Sequence, residues 1–429
     1  MTIRLDRRHF LMGSSALIAA GAAGLRPAFA QGNNLRLIFW GGQDRADRTY
    51  KVADLYAEGG GAQIDGEFLA WNDYWTKLAT QVAGGNAPNI IQMDYRYIVE
   101  YATRGAIRPL DQFVGGPLQL GDFDQDQLEG GKVGGQLFGI SLGANSVAVL
   151  VNETAFEEVG VAPPNRDSTY DDYMAMGEAF NSANIRGGIK AISDGSYTEP
   201  MLDNWLRQQG LSLYTADGQL GFGEEEMVEW FRMWQGLREA GVCVSAEDQA
   251  LDTGAMESTM VIMGKSATMP SNSNQLVAYQ SLSQDSLTIT NYPRIEPGAG
   301  GGHYRKPSMF FSVGGDEANA QAAAEFISFF VNDPDAAQVL GVERGIPCSA
   351  AVREGLAPTL DEKSQIALNF VANLGDLLGP LPPPPPPKAG EIDASVLRVI
   401  GQEVAFGARS PEDGGKAFVT EATALLTGA

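Results

Sequence analysis

Histidine is almost missing from this chain. Only His9 and His303 occur among its 429 residues, and His303 lies in the glycine-rich stretch GAGGGHYRK, which is typical of a loop. Ser-His-Asp and Cys-His catalysis need an imidazole beside a nucleophile, and histidine metal sites need several such rings. The sequence therefore lends little support to these catalytic arrangements and excludes clustered histidine metal sites. We predict no catalytic residue, no metal and no cofactor.

Cysteine is equally scarce, with Cys243 and Cys348 as the two examples. In an oxidising compartment they could pair, but their separation in space is not set by the sequence. One disulfide therefore stays open, and a disulfide-dense scaffold is excluded. The acidic stretch DFDQDQLE (122–129) resembles a calcium loop, but its sixth position is Gln127 and its twelfth is Val133. We expect a solvated acidic segment there.

Basic residues are outnumbered, because 30 Lys and Arg face 53 Asp and Glu and leave a formal net charge of −23. Such a charge disfavours nucleic acid and anionic membranes as partners. It is compatible with a freely dissolved protein, and it also leaves a cationic solute open as a ligand.

The N-terminus has the pattern of an export signal. A charged head with Arg7 and Arg8 precedes an apolar run over residues 10–24, and Ala28-Phe29-Ala30 offers a small-x-small cleavage site. The paired arginines indicate the twin-arginine type. The run is shorter than the ~20 apolar residues of a membrane span, and no cysteine follows it for a lipid anchor. We expect cleavage near Ala30 and a mature chain free in the periplasm.

Roughly 400 residues then remain, more than one hydrophobic core usually serves, so two lobes are expected. Strand and helix patterns alternate from LRLIFW (35–40) to NIIQMD (89–94), which predicts an α/β lobe with a largely parallel sheet. The same order restarts at VAVLVN (147–152). The stretch EEEMVEWFRMWQGLREAG carries an aromatic stripe that we assign to core packing. LGPLPPPPPPKAG predicts an extended strap across the surface, before a final helix from Asp393 to Phe406.

Several stretches in order resemble one family: FWGGQDRADRTYKVADLYAE, WNDYWTKLATQVAGGNAPNIIQMD, GGQLFGISLGANSVAVLVNETAFEEVGV, MGKSATM and EFISFFVNDPDAAQVLGVERGIPCSAAV. Together they are similar to ABC-transporter extracellular solute-binding proteins of carbohydrate-binding family 1, the maltose-binding-protein-like group. Two departures stand out. Ser141 replaces a proline common in the family, and MPSNSNQ (269–275) lies where many members place an aromatic residue.

The resemblance implies a two-lobed α/β fold of mostly parallel sheets flanked by helices, with three hinge crossings near 141–146, 305–310 and 345–348. Lobe one would comprise residues 31–141 and 309–345, and lobe two residues 142–308 and 346–429. It also implies a monomeric, non-enzymatic periplasmic receptor that delivers a mono- or oligosaccharide, possibly acidic, to ABC permease subunits in the inner membrane.

Ligands of open α/β sheets sit outside the carboxyl ends of the strands, and two predicted strands end in polar or aromatic residues. An aromatic face packs on the C–H face of a sugar, while carboxylates and amides bind its hydroxyls. Glycines there let backbone N–H groups approach closely. The candidates at these ends are Trp40, Gly42, Gln43, Asp44, Asp94 and Tyr95, together with Trp71 after the second strand. Trp40 as a core residue and Asp44 as a helix cap are the competing interpretations.

Other candidates come from the crossings and from lobe two. Asn145 and Ser146 fall at the first crossing and could serve as hinge, as ligand contacts or as both. By the resemblance, Ser271, Asn272 and Ser273 face the cleft, although a plain surface loop is the alternative. Arg344 precedes the third crossing, where it could hold an acidic sugar's carboxylate or pair with neighbouring acids.

Two other functions remain open at this point. A secreted carbohydrate-active enzyme would use paired carboxylates, in which this chain is rich. A receptor for a polyamine or another cationic solute would use the same fold, and its mark would be a cleft ringed by acids and aromatics with no arginine near position 344.

Overall fold

The computed structural model describes residues 34–314 and 317–428. Within these ranges, only the backbone is described for Trp71 and Asn72. The export signal predicted for residues 1–30 lies outside these ranges and stays a prediction. Across the described ranges, no helix is both long enough and apolar enough to cross a membrane.

The described chain alternates strands and helices along most of its length. The strands are β1 Leu35–Trp40, β2 Ile64–Leu69, β3 Ile90–Met93, β4 Lys132–Val133, β5 Gln136–Leu137, β6 Ile140–Ser141, β7 Ala144–Asn145, β8 Val147–Asn152, β9 Lys190–Ile192, β10 Ser266–Asn272, β11 Leu287–Thr290, β12 Lys306–Pro307 and β13 Phe310–Val313.

The helices lie between and after these strands, and a π-helical stretch, Ile392–Leu397, separates two of them. They are α1 Gln43–Glu58, α2 Trp71–Ala83, α3 Ile98–Thr103, α4 Gln125–Gly130, α5 Glu153–Val159, α6 Tyr170–Ala183, α7 Glu199–Gln208, α8 Glu224–Glu239, α9 Ala246–Gln249, α10 Leu276–Leu282, α11 Ala320–Asn332, α12 Pro334–Leu340, α13 Ala350–Leu356, α14 Glu362–Ala372, α15 Ala389–Glu391, α16 Arg398–Ala405 and α17 Pro411–Thr427.

The first lobe is built on a five-stranded sheet in the order β2-β1-β3-β13-β6. β1 runs parallel to β2 and β3, as predicted, but β13 runs antiparallel to both β3 and β6. The largely parallel sheet that we predicted is therefore mixed. The reason is that β13 returns from the other lobe and enters the sheet at the edge where β3 ends, so Phe310 pairs with Met93.

The second lobe has a four-stranded sheet in the order β11-β8-β10-β9. β8 pairs antiparallel with β10 and β11, and only β10 and β9 run parallel. Here too the crossing decides the direction, because β8 enters from the cleft while β10 and β11 return to it. Val147 and Asn272, which pair with each other, therefore lie at the cleft edge.

The aromatic stripe of α8 is core, as predicted. Trp230, Phe231 and Trp234 are fully buried, and α17 packs along the same helix. The helix predicted to be final, from Asp393 to Phe406, is instead the π-helical stretch followed by α16, and α17 comes after it. α17 was not predicted because Gly414 and Gly415, which have low helix propensity, lie near its N-terminus. They are needed because a Cβ at either position would come within 2.6 Å of a valine methyl group of α8 or α16.

The three segments predicted to cross between the lobes lie side by side. β7 pairs antiparallel with β12, and Ala144 also bridges to Ile346. The packing is close, since a Cβ on Gly143 would lie 2.6 Å from the carbonyl oxygen of Arg344. Gly345 adopts φ of 110°, a left-handed conformation that other residues rarely adopt.

The acidic stretch 122–129 is solvated only in part: Asp122 and Glu129 are exposed as predicted, whereas arginines distant in sequence pair with Asp124 and Asp126. Asp124 pairs with Arg353 at 2.7 Å and Asp126 with Arg305 at 2.7 Å. Asp122 accepts a hydrogen bond from Ser349 at 2.5 Å. α13 therefore contacts the first lobe although it follows residue 345, where we placed the boundary, and the exact lobe limits stay a prediction.

Cys243 and Cys348 are buried as free thiols in the cores of different lobes. The possible disulfide is not formed. Burial raises the pKa of both thiols, to about 12 for Cys348, so neither is a reactive thiolate at neutral pH.

Candidate functional site

A cavity of about 270 Å³ lies between the two lobes, where strand ends from both sheets face each other. Its walls combine carboxylates, two cations, tyrosines and prolines. The lining residues are Asp94, Tyr95, Arg96, Val147, Glu199, Pro200, Asp203, Leu213, Tyr214, Asn272, Tyr304, Lys306, Pro382, Pro383 and Pro385.

The wall from the first lobe is the turn that directly follows β3. Asp94 accepts the Arg96 amide on Oδ1 at 2.8 Å, and its carbonyl accepts the amides of Tyr97 and Ile98, which starts α3. The carboxylate has no salt bridge in the described part of the chain. It can therefore accept further hydrogen bonds from a bound solute.

The wall from the second lobe carries two acids on α7. Glu199 and Asp203 are one helical turn apart and so share a face. Burial raises the pKa of Glu199 to about 7, with Asp393 adding repulsion, whereas Arg96 and Lys306 oppose the shift. Burial also raises the pKa of Asp203 to about 6, against the lowering effects of Arg207 and of the Leu213 amide.

Tyrosines give the cavity its aromatic surfaces. Tyr95 is buried and its hydroxyl donates to the carbonyl of Pro382 at 2.8 Å. The guanidinium carbon of Arg207 lies 5.0 Å from the ring centroid of Tyr304, a cation–π contact. Tyr214 completes the set from beyond α7.

The proline segment, residues 380–387, closes one side of the cavity. It was predicted to cross the surface, but residues 381–386 are half-buried and three prolines line the cavity. Arg207 donates to the Pro380 carbonyl at 2.6 Å, and the Gly379 amide donates to the His303 carbonyl at 2.7 Å. These contacts, distant in sequence, draw the segment into the cleft.

Of the predicted site residues, Asp94, Tyr95 and Asn272 line the cavity. Ser146 and Ser273 lie buried behind that wall, where the Ser146 amide donates to Ser273 Oγ at 3.2 Å and the Ser273 amide to the Ser146 carbonyl at 2.9 Å. The first crossing is thereby joined to the end of β10. Ser146 Oγ also lies 3.3 Å from Nδ1 of His303, whose pKa burial lowers to about 3.

Asn145 and Ser271 also lie outside the cavity lining. Asn145 sits in β7 opposite Lys306, and its Oδ1 is buried without a hydrogen-bond partner in the described structure. This placement favours a role in the crossing. Ser271 is buried, and its hydroxyl donates to Gln275 Oε1 at 3.2 Å.

The other strand end, that of β1, does not reach the cavity. Trp40 is 8% exposed and packs against Tyr74 and Trp75, with ring centroids 5.1 and 5.6 Å away. The core interpretation of this tryptophan therefore fits the structure. Gln43 donates to Asp47 at 2.6 Å, and Asp44 pairs with Arg48 at 2.9 Å.

Glycine at the end of β1 makes room for a neighbouring side chain. A Cβ on Gly41 would lie 2.5 Å from Arg45 Cδ, whereas Gly42 has open space beside it and precedes α1 as its N-cap. Asp44, in the first turn, does not cap the helix with its side chain. Trp71 begins α2, and its side chain is not among those described.

Arg344 is turned into the first lobe, away from the cavity. Its Nη2 donates to Thr49 Oγ1 at 2.8 Å, Nη1 pairs with Glu343 at 3.3 Å, and its guanidinium lies over the ring of Phe330. Burial lowers the pKa of this guanidinium to about 9. Arg344 is therefore not placed to bind a solute carboxylate in the cavity, as we had expected it could.

Sequence reasoning missed most of the second wall. The missed residues are Arg96 on the first wall, and Val147, Glu199, Pro200, Asp203, Leu213, Tyr214, Tyr304, Lys306 and the three prolines elsewhere. The sequence of α7, EPMLDNWLRQ, contained a signal that could have identified this wall. Glu199 and Asp203 are two acids one turn apart on a helix whose other residues are mostly apolar, which is a pattern expected of a buried polar site.

Two hollows are larger than this cavity, at about 860 and 630 Å³. The first lies on the outer face of α8 and α17, among Glu224, Glu225 and Glu412. The second lies between α12, α13 and the stretch before α4. Neither is lined from the two facing sheet edges, so the 270 Å³ cavity is the better candidate. The described residues contain no cluster of metal-binding side chains.

A family model described as bacterial extracellular solute-binding protein matches residues 51–367, about three quarters of the chain. The chain belongs to this family. Among curated proteins, this solute-binding protein is 22% identical to a putative binding protein of Brucella abortus over 188 residues, which are 43% of this chain and 45% of that relative. The match thus spans less than half of the relative's length.

Solved structures extend the likeness to nearly the whole solute-binding protein. An extracellular solute-binding protein, family 1, from Alicyclobacillus acidocaldarius is 30% identical with a TM-score of 0.77, covering 92% of this chain and 98% of that one. A periplasmic oligogalacturonide binding protein from Yersinia enterocolitica, solved with saturated digalacturonic acid, is 22% identical with a TM-score of 0.75, covering 92% and 98%. The two-lobed α/β fold is confirmed by these neighbours.

Proposed function

We propose that this solute-binding protein is a periplasmic receptor that holds a carbohydrate in the interlobe cavity and delivers it to an ABC importer permease. One observation carries the proposal. Carboxylates and tyrosines from both lobes converge on a single cavity, with Asp94 and Tyr95 on one side and Glu199, Asp203 and Tyr214 on the other.

This mixture suits a sugar for a simple chemical reason. Hydroxyl groups need acceptors and donors at short range, and the carboxylates, Asn272 and Lys306 provide both. The C–H faces of the ring need flat apolar surfaces, which tyrosines provide. At about 270 Å³ the cavity is at the low end for small-molecule sites, which favours a short saccharide.

Release and capture would depend on the crossings. Because the solute touches both lobes, it binds the closed arrangement more tightly than the open one and shifts the population toward it. The crossings at β7, β12 and Ile346 are the places where such a movement would bend the chain. The closed form is the one that a permease would recognise.

A second candidate is a cationic solute, such as a polyamine or an amino sugar. The cavity is ringed by three acids and three tyrosines, and Arg344 does not line it. Arg96 and Lys306 weigh against this candidate because they already place two positive charges in the same walls.

Isothermal titration of the purified chain tests the proposal with glucose, maltose, digalacturonate, glucosamine and spermidine. We expect saturable 1:1 binding of at least one saccharide, with the saccharide recovered unchanged by chromatography after overnight incubation. Binding of spermidine or glucosamine without binding of glucose, maltose or digalacturonate would favour the cationic candidate. Binding of none of the five would overturn the proposal, and shorter products would indicate an enzyme with paired carboxylates.

A further inference from the structure

We propose that Pro382, Pro383 and Pro385 form an apolar wall of the solute site and set the size of the solute that fits. This inference rests on the proposed function, because it assigns part of the same cavity. The proline segment thereby becomes a determinant of specificity rather than a passive connection.

A polyproline helix has three residues per turn, so two of the three lining prolines are in register and Pro383 lies on the neighbouring face. Pro382 and Pro385 therefore share one face, and that face meets the cavity. Pro386 does not line the cavity, and a Cβ on Gly218 in the second lobe would lie 3.3 Å from it. The part of the segment around Pro382, Pro383 and Pro385 therefore faces the cleft, and Pro386 packs on the second lobe.

Both lobes hold the segment in place. On the second lobe, Arg207 donates to Pro380, and Ala389 is buried in the core at the far end. On the first lobe, Leu381 packs against the core around Trp40 and Tyr74, and Tyr95 donates to the Pro382 carbonyl. The segment therefore spans the cleft beside the three crossings.

Proline suits a wall of this kind. Its ring fixes φ and presents rigid C–H groups, so little conformational freedom remains to be lost when a solute packs on it. Proline also has no amide N–H, so the wall has no such donor to satisfy when a solute covers it. In this chain the stretch 269–275, at the end of β10, has no aromatic side chain, and the prolines offer an apolar surface for a sugar ring.

Two triple variants with the same loss of proline test the inference. One replaces Pro382, Pro383 and Pro385 by alanine, and the other replaces three of the prolines outside the lining, Pro384, Pro386 and Pro387, by alanine. Both lose similar backbone stiffness, but only the first changes the cavity wall. We expect the first to weaken binding of the best short saccharide about tenfold and to improve the relative affinity for longer ones, with the second within about threefold of wild type.

Equal effects of the two triple variants would overturn the inference and leave the proposed function intact. A wild-type chain that binds no saccharide would overturn the proposed function, and the inference with it. If the first triple variant does not fold, judged by circular dichroism, the pair Pro383→Leu and Pro384→Leu replaces it. Pro383→Leu should then weaken binding of the larger saccharides at least about tenfold and Pro384→Leu should not; equal affinities would overturn the inference.

Discussion

Two neighbouring parallel strands of the first lobe, β1 and β3, end at the same edge of the sheet, yet only β3 delivers side chains to the cavity. After β3, the turn at Asp94 faces the second lobe. After β1, Trp40 is buried and the polar residues that follow pair with one another. A position at the carboxyl end of a strand is therefore not sufficient to bring a side chain to the cavity.

The order of the strands explains the difference. β3 lies next to β13, the strand that enters directly from a crossing, whereas β1 lies one position further away, between β2 and β3. The second lobe is joined through those crossings, so its residues face β3 and not β1. α1 also begins at once after β1, and Arg45 within it reaches Glu343 at 2.8 Å.

Trp40→Ala tests whether the residue at the end of β1 serves the hydrophobic core. A large aromatic ring would be removed from a packed cluster, so we expect a loss of about 3–5 kcal/mol in the free energy of unfolding. Denaturant unfolding measures it, and Trp40→Phe, which keeps a ring, should lose less. If the variant instead kept the stability of wild type and lost solute binding, Trp40 would be a ligand-binding residue.

Asp94→Asn tests whether the carboxylate after β3 binds the solute. Asp44→Asn, which changes the acid after β1, is the matched control. Hydrogen bonds to a charged group contribute about 1.5–3 kcal/mol, so we expect Asp94→Asn to weaken solute binding about tenfold to a hundredfold. Asp44 is exposed and pairs with Arg48, so its variant should bind normally. Equal Kd values for the two variants by calorimetry would remove the distinction between the strand ends.

Glu199→Gln tests the cavity wall opposite the end of β3, where Glu199 faces the turn at Asp94. Its pKa is raised to about 7 by burial and Asp393, against the opposing effects of Arg96 and Lys306. The folded state therefore binds more protons than the unfolded state between about pH 4.5 and 7, and stability falls as pH rises through that window.

Removing this carboxyl should thus leave stability unchanged near pH 4 and raise it by up to about 3 kcal/mol at pH 8, since a pKa rise from 4.5 to about 7 corresponds to that free energy. Urea unfolding at the two pH values measures the difference. Asp203, which also helps to raise the pKa of Glu199, is retained in both proteins. A variant that is less stable than wild type at pH 8 would contradict the assignment.

Tyr95→Phe is the smallest of these changes, because it removes only the hydroxyl that donates to Pro382. One neutral hydrogen bond contributes about 0.5–1.5 kcal/mol net, so stability should fall by that amount. Tyr101→Phe, a tyrosine of the same core cluster with no hydroxyl bond to the proline segment, is the control. Limited proteolysis near residue 382 should accelerate for Tyr95→Phe alone if the bond fastens the segment.

Local sequence patterns were enough to predict the order of strands and helices along most of the chain. Alternating hydrophobic patterns and helix signals placed most strands and helices, including the break between α11 and α12 at Asp333 and Pro334. The stripe on α8 was identified as core, and Asp94 and Tyr95 were placed at a strand end that meets the cavity. Each of these depends on neighbours within a few residues, which is the range over which local patterns carry information.

Which of the candidate side chains come into contact depends on the packing of the whole fold. Glu199, Tyr304 and Pro382 are separated by dozens of residues, and they share a cavity because three crossings and the proline segment bring the lobes together. For the same reason Arg344 binds Thr49, and Asp124 binds Arg353. Charged and aromatic side chains can serve a core, an ion pair or a solute equally well, and the partner that the fold places beside them makes the choice.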